Sequence, residues 1–295
     1  MKPAHTPRAM TSTLLPVVIC LMSAISLAAT NVLVKRGGDI LTSRMVLSIV
    51  MGLSVLPLAF FVPLPPRETL PFLALSIAVH WFYQFSAIRA LHRGDLSLVF
   101  PVMRGLGPLA TATIASIALH ESLSFWQIAG LVAASAAIIV FAMPTGATVH
   151  ARRLDRSALF WSVMTALGVG LYAVADARAV REMPNFLTFV VWLFLLDWIG
   201  VTLVALWQRR GGIMTAIRPQ IRGGIIAGVL GSFSYGLAIF AYTLTDAAIV
   251  TALRETSVVF AAAFGAVLLH EGFGRRRTMA AAVLACGLVL MQAGA

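Results

Sequence analysis

Apolar runs of membrane-spanning length recur ten times along this chain, separated by short polar or basic punctuation. A helix needs roughly 20 apolar residues to cross the hydrocarbon core of a bilayer. The pattern predicts spans at 14–34, 40–62, 69–91, 96–118, 124–142, 157–179, 185–207, 222–243, 247–269 and 276–293. The connections are too short to hold a soluble domain. The longest, 143–156, is basic and falls near mid-chain, so the pattern predicts two five-helix units, 1–142 and 157–295. The opening run is long and many more follow, so it reads as a retained first helix rather than a cleaved leader.

The two units carry the same marks in the same order. Arg104 and Arg254 are 150 positions apart, as are His120-Glu121 and His270-Glu271. Asn31 and Asp176, 145 apart, hold similar places in the first helix of each unit. Several coincidences in one order indicate an internal repeat. Because five is odd, the second unit enters the membrane from the opposite side. The expected fold is therefore all-α and integral to the membrane, ten transmembrane helices as two inverted five-helix repeats around a central cavity, with a substrate site near mid-membrane.

Composition agrees with lipid as the solvent: 60% of the residues are hydrophobic and 11% charged, against about 25% charged in an ordinary soluble domain. A net charge of +11 raises the question of nucleic acid, but the basic residues sit in short clusters between apolar runs, as membrane-end anchors do. One set of loops holds Lys35, Arg36, Arg152, Arg153, Arg209, Arg210 and the run Arg275–Arg277; the opposite set holds Lys2, Arg8, Arg67, Arg178 and Arg181. The excess of Lys and Arg places the first set in the cytoplasm and both termini outside. Cys20 and Cys286 lie in apolar runs and fit neither a metal-ligand spacing nor a disulfide framework. No motif calls for a cofactor.

Charges deep in apolar runs are the candidate chemistry. Arg104 lies nine residues after Asp95 and Arg254 eight after Asp246, which puts each about 12–14 Å into a core about 30 Å thick. A central charge costs on the order of 3 kcal/mol, so it faces a partner or a wet cavity rather than lipid. Glu255 follows Arg254 directly and diverges from it by about 100° around the helix, so it is aimed at another helix, with Arg104 as the expected partner. Asp176 continues a face with Tyr172, Val169 and Thr165. His80, Tyr83 and Gln84 share one flank of the third span, and Ser232, Tyr235 and Tyr242 one flank of the eighth. These faces either line a pathway or bond helices together. Arg44 and Arg89 lie near span ends and read as interfacial anchors, Asp197 has no such context, and Pro101 and Pro108 predict a kink in the fourth span.

Arg93-Gly94-Asp95-Leu96-Ser97 leading to Pro101 and Arg104-Gly105, Ala252-Leu253-Arg254-Glu255-Thr256-Ser257, and the two Leu-His-Glu endings resemble the drug/metabolite transporter superfamily, specifically its EamA-type ten-helix members. The resemblance runs along essentially the whole chain. It implies a carrier, an exporter or permease of small polar metabolites such as amino acids, working by alternating access in a bacterial inner membrane. Neither substrate nor coupling ion follows from it. The partners expected are a small-molecule substrate and membrane lipids, with Arg104, Arg254, Glu255, Asn31, Asp176, His80, Tyr83 and Tyr235 in the substrate site. Protons are a possible coupling ion, through Glu255 or Asp176 with His80 modulating.

Two other functions compete. A flippase for a lipid-linked substrate needs an opening toward the bilayer. An intramembrane hydrolase finds a superficial motif in Gly231-Ser232-Phe233-Ser234, but its serine needs a base within hydrogen-bond reach.

Overall fold

The computed structural model describes residues 14–36, 38–93, 96–142, 156–209, 211–269 and 275–293. Among them the only regular structure is helical. This is what lipid requires, since a spanning segment must satisfy its backbone hydrogen bonds internally. Twelve helices follow in order: α1 (Leu14–Arg36), α2 (Ile40–Val55), α3 (Leu70–Arg93), α4 (Leu96–Ala118), α5 (Phe125–Ala142), α6 (Arg156–Glu182), α7 (Phe186–Arg209), the short α8 (Ile213–Ile217), α9 (Ile221–Leu244), α10 (Ala247–Arg254), α11 (Ser257–Leu269) and α12 (Arg275–Ala293). A 3-10 turn, Leu56–Phe60, extends α2. Most of the linker at 143–156 and the His270-Glu271 pair lie outside the described residues.

Six of these elements are long and apolar enough to cross a membrane: α1, α2 with its 3-10 turn, α3, α6, α7, and α8 running into α9. The apolar stretches of α4, α5 and α12 are shorter. The ninth predicted span is two helices, α10 and α11, parted at Glu255 and Thr256. At the break the amides of Thr256 and Val258 bond to the carbonyls three residues back, Leu253 and Glu255. The predicted proline kink has no counterpart of this kind, because α4 runs unbroken through Pro101 and Pro108.

α6 is the inner helix, with 61% of its apolar window buried. α3 and α4 pack on it, while α1 packs on α9, α10 and α11; α2 faces α7, and α5 faces α12. Small residues permit these approaches. A Cβ on Gly168 would lie 3.0 Å from the Cα of Tyr83 in α3, and one on Gly170 would lie 2.8 Å from the backbone of Ala110 in α4.

The apolar core is unequal along the bundle. At the end where α6 finishes and α7 begins, one large cluster takes in α1, α3, α4, α6, α7, α9 and α10, around Val174, Met183, Phe189, Ile239 and Tyr242. At the basic end, where α1 finishes and α2 begins, it divides into three separate clusters: α5 with α12 and Val258, α2 with α7 and Ile88, and the ends of α3, α4 and α6.

Candidate functional site

Between the three small clusters lies a cavity of about 170 Å³ with charged residues in its wall. Its walls come from α1, α2, α3, α4, α6, α7, α9 and α10, and it extends from the middle of the helices toward the basic end. Seven of the eight residues predicted for the site line it: Asn31, His80, Tyr83, Arg104, Tyr235, Arg254 and Glu255. The eighth, Asp176, is not on the wall; it is fully buried behind His80 and Tyr235.

Arg104 of α4 reaches across to Glu255 at the helix break, Nη1 to Oε1 3.3 Å, which is the partner expected from sequence. Glu255 is 3% exposed, and its Oε2 has no hydrogen-bond partner among the described residues. Arg254 is held differently. Its Nε donates to Ser23 Oγ at 3.0 Å, and its guanidinium lies over the Tyr235 ring, 5.1 Å from the centroid. Ser23 is fixed in turn, donating to the Ser234 carbonyl at 2.7 Å, while the Ser234 hydroxyl donates to the Ser23 carbonyl at 2.7 Å. Arg254 makes no ion pair among the described residues, so its charge is directed at the cavity rather than at a protein carboxylate.

Asp176 gathers donors from two other helices. Ser76 Oγ donates to Oδ1, Tyr235 OH donates to Oδ2, and His80 Nε2 lies 3.0 Å from Oδ2 and 3.1 Å from the Tyr235 hydroxyl. The His80 ring stacks on Tyr172 with centroids 4.7 Å apart.

Two further charged residues on the cavity wall were not predicted for the site. Arg44, read as an interfacial anchor, lies on the wall, as does Tyr83. Asp197 is also there, with Gln84 Nε2 donating to both of its oxygens at 3.1 Å. Only their charge within an apolar run marked them, and that signal does not tell a wall from an interface. Arg89 keeps to the periphery, over Phe85 and Trp161. The predicted flank of the eighth span divides: Tyr235 faces the cavity, whereas Ser232 bonds to Ser54 and the Gly228 carbonyl, with no base among its partners. Among the described residues no group of His, Cys, Asp or Glu is placed to hold a metal ion.

The end away from the cavity is tied shut by a polar cluster. α4 ends in a left-handed His120 (φ 55°), which sets Glu121 against the end of α6. Arg181 Nη1 donates to Glu121 Oε1 at 2.9 Å, and the same guanidinium donates to the carbonyls of Tyr242 and Thr245 at 3.0 and 3.1 Å. Glu121 Oε2 accepts from the Ala247 amide at 3.0 Å. Burial first, and then the charge of Asp246, push the Glu121 carboxyl above its ordinary value, against the opposing pull of Arg181.

No curated protein matches the sequence. A solved structure, described only as the crystal structure of a protein, is similar over 93% of this chain and 95% of its own, with a TM-score of 0.68 at 15% identity; that likeness concerns the fold alone. Residues 156–292 match the EamA-like transporter family, a family of membrane transporters of the drug/metabolite type. Over these residues, a little under half of its length, the chain is similar to the EamA-like transporter family.

Proposed function

We propose that the protein is a secondary transporter of small polar metabolites, amino acids or related compounds, working by alternating access in the cytoplasmic membrane of a bacterium. The observation that carries this reading is the unequal core. A charged cavity runs from mid-bundle toward the basic end, and the opposite end is closed by one continuous apolar cluster and the Arg181–Glu121 tie. A site open toward one side and sealed from the other is the arrangement an alternating carrier needs. With the basic loops in the cytoplasm, the cavity is directed inward.

The helix pairings favour two inverted repeats, 1–142 and 157–295. Exchanging α1 with α6, α2 with α7, α3 with α9, α4 with α10–α11 and α5 with α12 carries α3–α6 into α1–α9, α4–α6 into α1 with α10–α11, and α2–α9 into α3–α7, and keeps α2–α7 and α5–α12. The α4–α5 pairing has only a slight counterpart in α10–α12. The paired Arg104 and Arg254 then occupy corresponding places on the cavity wall.

The substrate is a small solute carrying an anionic group, met by Arg254 and Arg44. A cavity of about 170 Å³ suits such a solute better than a lipid-linked sugar. The test is counterflow in liposomes with a panel of labelled L-amino acids and, separately, a lipid-linked sugar. Saturable exchange of a soluble solute is expected. Translocation of the lipid-linked sugar alone would replace this reading with that of a flippase.

A further inference from the structure

Among the described residues Asp176 is the most enclosed acid, with no exposed surface and no Arg or Lys paired to it. A carboxylate with no Arg or Lys partner in the apolar interior of a membrane protein is costly and points to function. Its neighbours give it a route to the cavity. Asp176 Oδ2, the Tyr235 hydroxyl and His80 Nε2 form a closed triangle of hydrogen bonds, and both His80 and Tyr235 line the cavity wall.

The protons in this triangle can be counted. Ser76 and Tyr235 each spend their one hydroxyl proton on Asp176, so the Tyr235 oxygen can only accept from His80. His80 Nε2 therefore faces two acceptors, Asp176 Oδ2 at 3.0 Å and Tyr235 OH at 3.1 Å, and carries a proton itself. With the ring otherwise neutral, the cluster holds one net negative charge. One further proton, on the carboxylate or on the second ring nitrogen, brings it to zero.

We propose that Asp176, His80 and Tyr235 form a binding site for a single proton, loaded from the cavity through His80. Coupling this proton to solute movement rests on the transporter reading; the proton site itself does not. The coupling would run through Arg254, whose guanidinium lies on the Tyr235 ring. Loading the cluster removes the negative charge behind that ring and leaves Arg254 more attractive to an anionic group in the cavity. By linkage, the anionic group strengthens proton binding by the same factor.

The charged and titratable groups around the cluster come from several helices. They are His80 and Tyr83 from α3, Arg104 from α4, Tyr172 from α6 itself, Asp197 from α7, Tyr235 and Tyr242 from α9, and Arg254 from α10. Cys20 of α1 lies beside Tyr242 and Arg254. Asp197 and Glu255 are the rival carboxylates. Each has its own partner, Gln84 and Arg104, and neither bonds His80.

The experiment measures proton uptake by the whole protein in lipid nanodiscs, without solute, using a soluble pH dye across a step from alkaline to mildly acidic solution. The parent should bind about one proton per chain more than Asp176→Asn, and Asp197→Asn and Glu255→Gln should keep that proton. Full uptake by Asp176→Asn, or loss in either rival variant instead, overturns the assignment. Should Asp176→Asn not fold, Tyr235→Phe decides. It keeps carboxylate and imidazole but lacks one donor, so the same proton should bind at a displaced midpoint; an unmoved midpoint overturns the proposal. Because no solute is present, failure here leaves the transporter reading standing, and a protein that moves no solute can still pass.

Discussion

Arg104 and Glu255 meet at 3.3 Å across the cavity, and their contact uses only one of the two carboxylate oxygens. A pair built for stability alone would satisfy both oxygens, because an unmade buried hydrogen bond costs about 1–3 kcal/mol. Both residues also line the cavity, so the pair joins the fold to the site.

Removing one partner of such a pair leaves a buried charge and costs about 3–5 kcal/mol. Arg104→Leu should therefore lower the yield of folded protein, and adding Glu255→Gln should restore most of it. Neither single nor double variant should transport. Flux by the double variant at the parental rate would reduce the pair to a structural one. Comparing detergent-stable yield with liposome flux across the double-mutant cycle separates the two roles.

The close crossing of α4 and α6 gives a second expectation. A Cβ at position 170 would lie 2.8 Å from the carbonyl carbon of Ala110 and 2.9 Å from the amide of Thr111, both backbone atoms that cannot turn aside. Gly170→Val should push α4 off α6, costing about 1–3 kcal/mol as overpacking does. Arg104 on α4 and Tyr172 on α6 both line the cavity, so flux should fall along with Tm. A thermal melt matching the parent would show that the crossing is looser than described.

Asp39 caps α2 from the loop at the basic end. Burial pushes its carboxyl up, but hydrogen bonds from the Thr42 hydroxyl and amide and the charge of Arg209 outweigh that and hold it below its ordinary value. The sign follows: a depressed carboxyl contributes stability above its unfolded pKa of about 3.9, and the contribution is lost as pH falls through the lower folded value. Asp39→Ala should cost about 1 kcal/mol at neutral pH, as for a lost helix cap, with the difference from the parent closing in strong acid. Melts of both proteins over that range check it, and a gap that widens in acid contradicts it.

The charge of the loops carries the orientation. Reporter fusions at Ala295 should be active outside and fusions at Gly146 in the cytoplasm, because clustered Arg residues resist translocation. The reverse pattern overturns the orientation and with it the inward direction of the cavity.

The sequence and the structure agree best where lipid leaves the chain no choice. Apolar runs of spanning length must be helical, and Arg104, Arg254 and Glu255 stood out because a charge at that depth needs an explanation. Rotation of each helix was harder to read. Asp176 shares a face with Tyr172, yet the first is enclosed and the second is on the wall, since α3 and α9 pack over Asp176. Its pairing with His80 joins residues 96 positions apart and has no local signature. Arg44 looked like an anchor by its distance from a span end, but α2 starts at the mouth of the cavity. Pro101 and Pro108 pointed to a kink in α4, which stays one continuous helix, whereas the interruption lies between Arg254 and Ser257, where neither proline nor glycine occurs.

The central claim is that one site is reached from one side at a time. Leu27 lines the cavity and makes no polar bond that a cysteine would disturb, so Leu27→Cys, in a background with Cys20 and Cys286 replaced by Ala, reports access directly. An impermeant thiol reagent should reach it from the basic side and not from the other. Adding Arg181→Ala, which unties Glu121 and the carbonyls of Tyr242 and Thr245, should admit the reagent from the opposite side and reduce labelling from the basic side in step. Equal labelling from both sides in the parent, or labelling that rises on one side without falling on the other, would contradict the account.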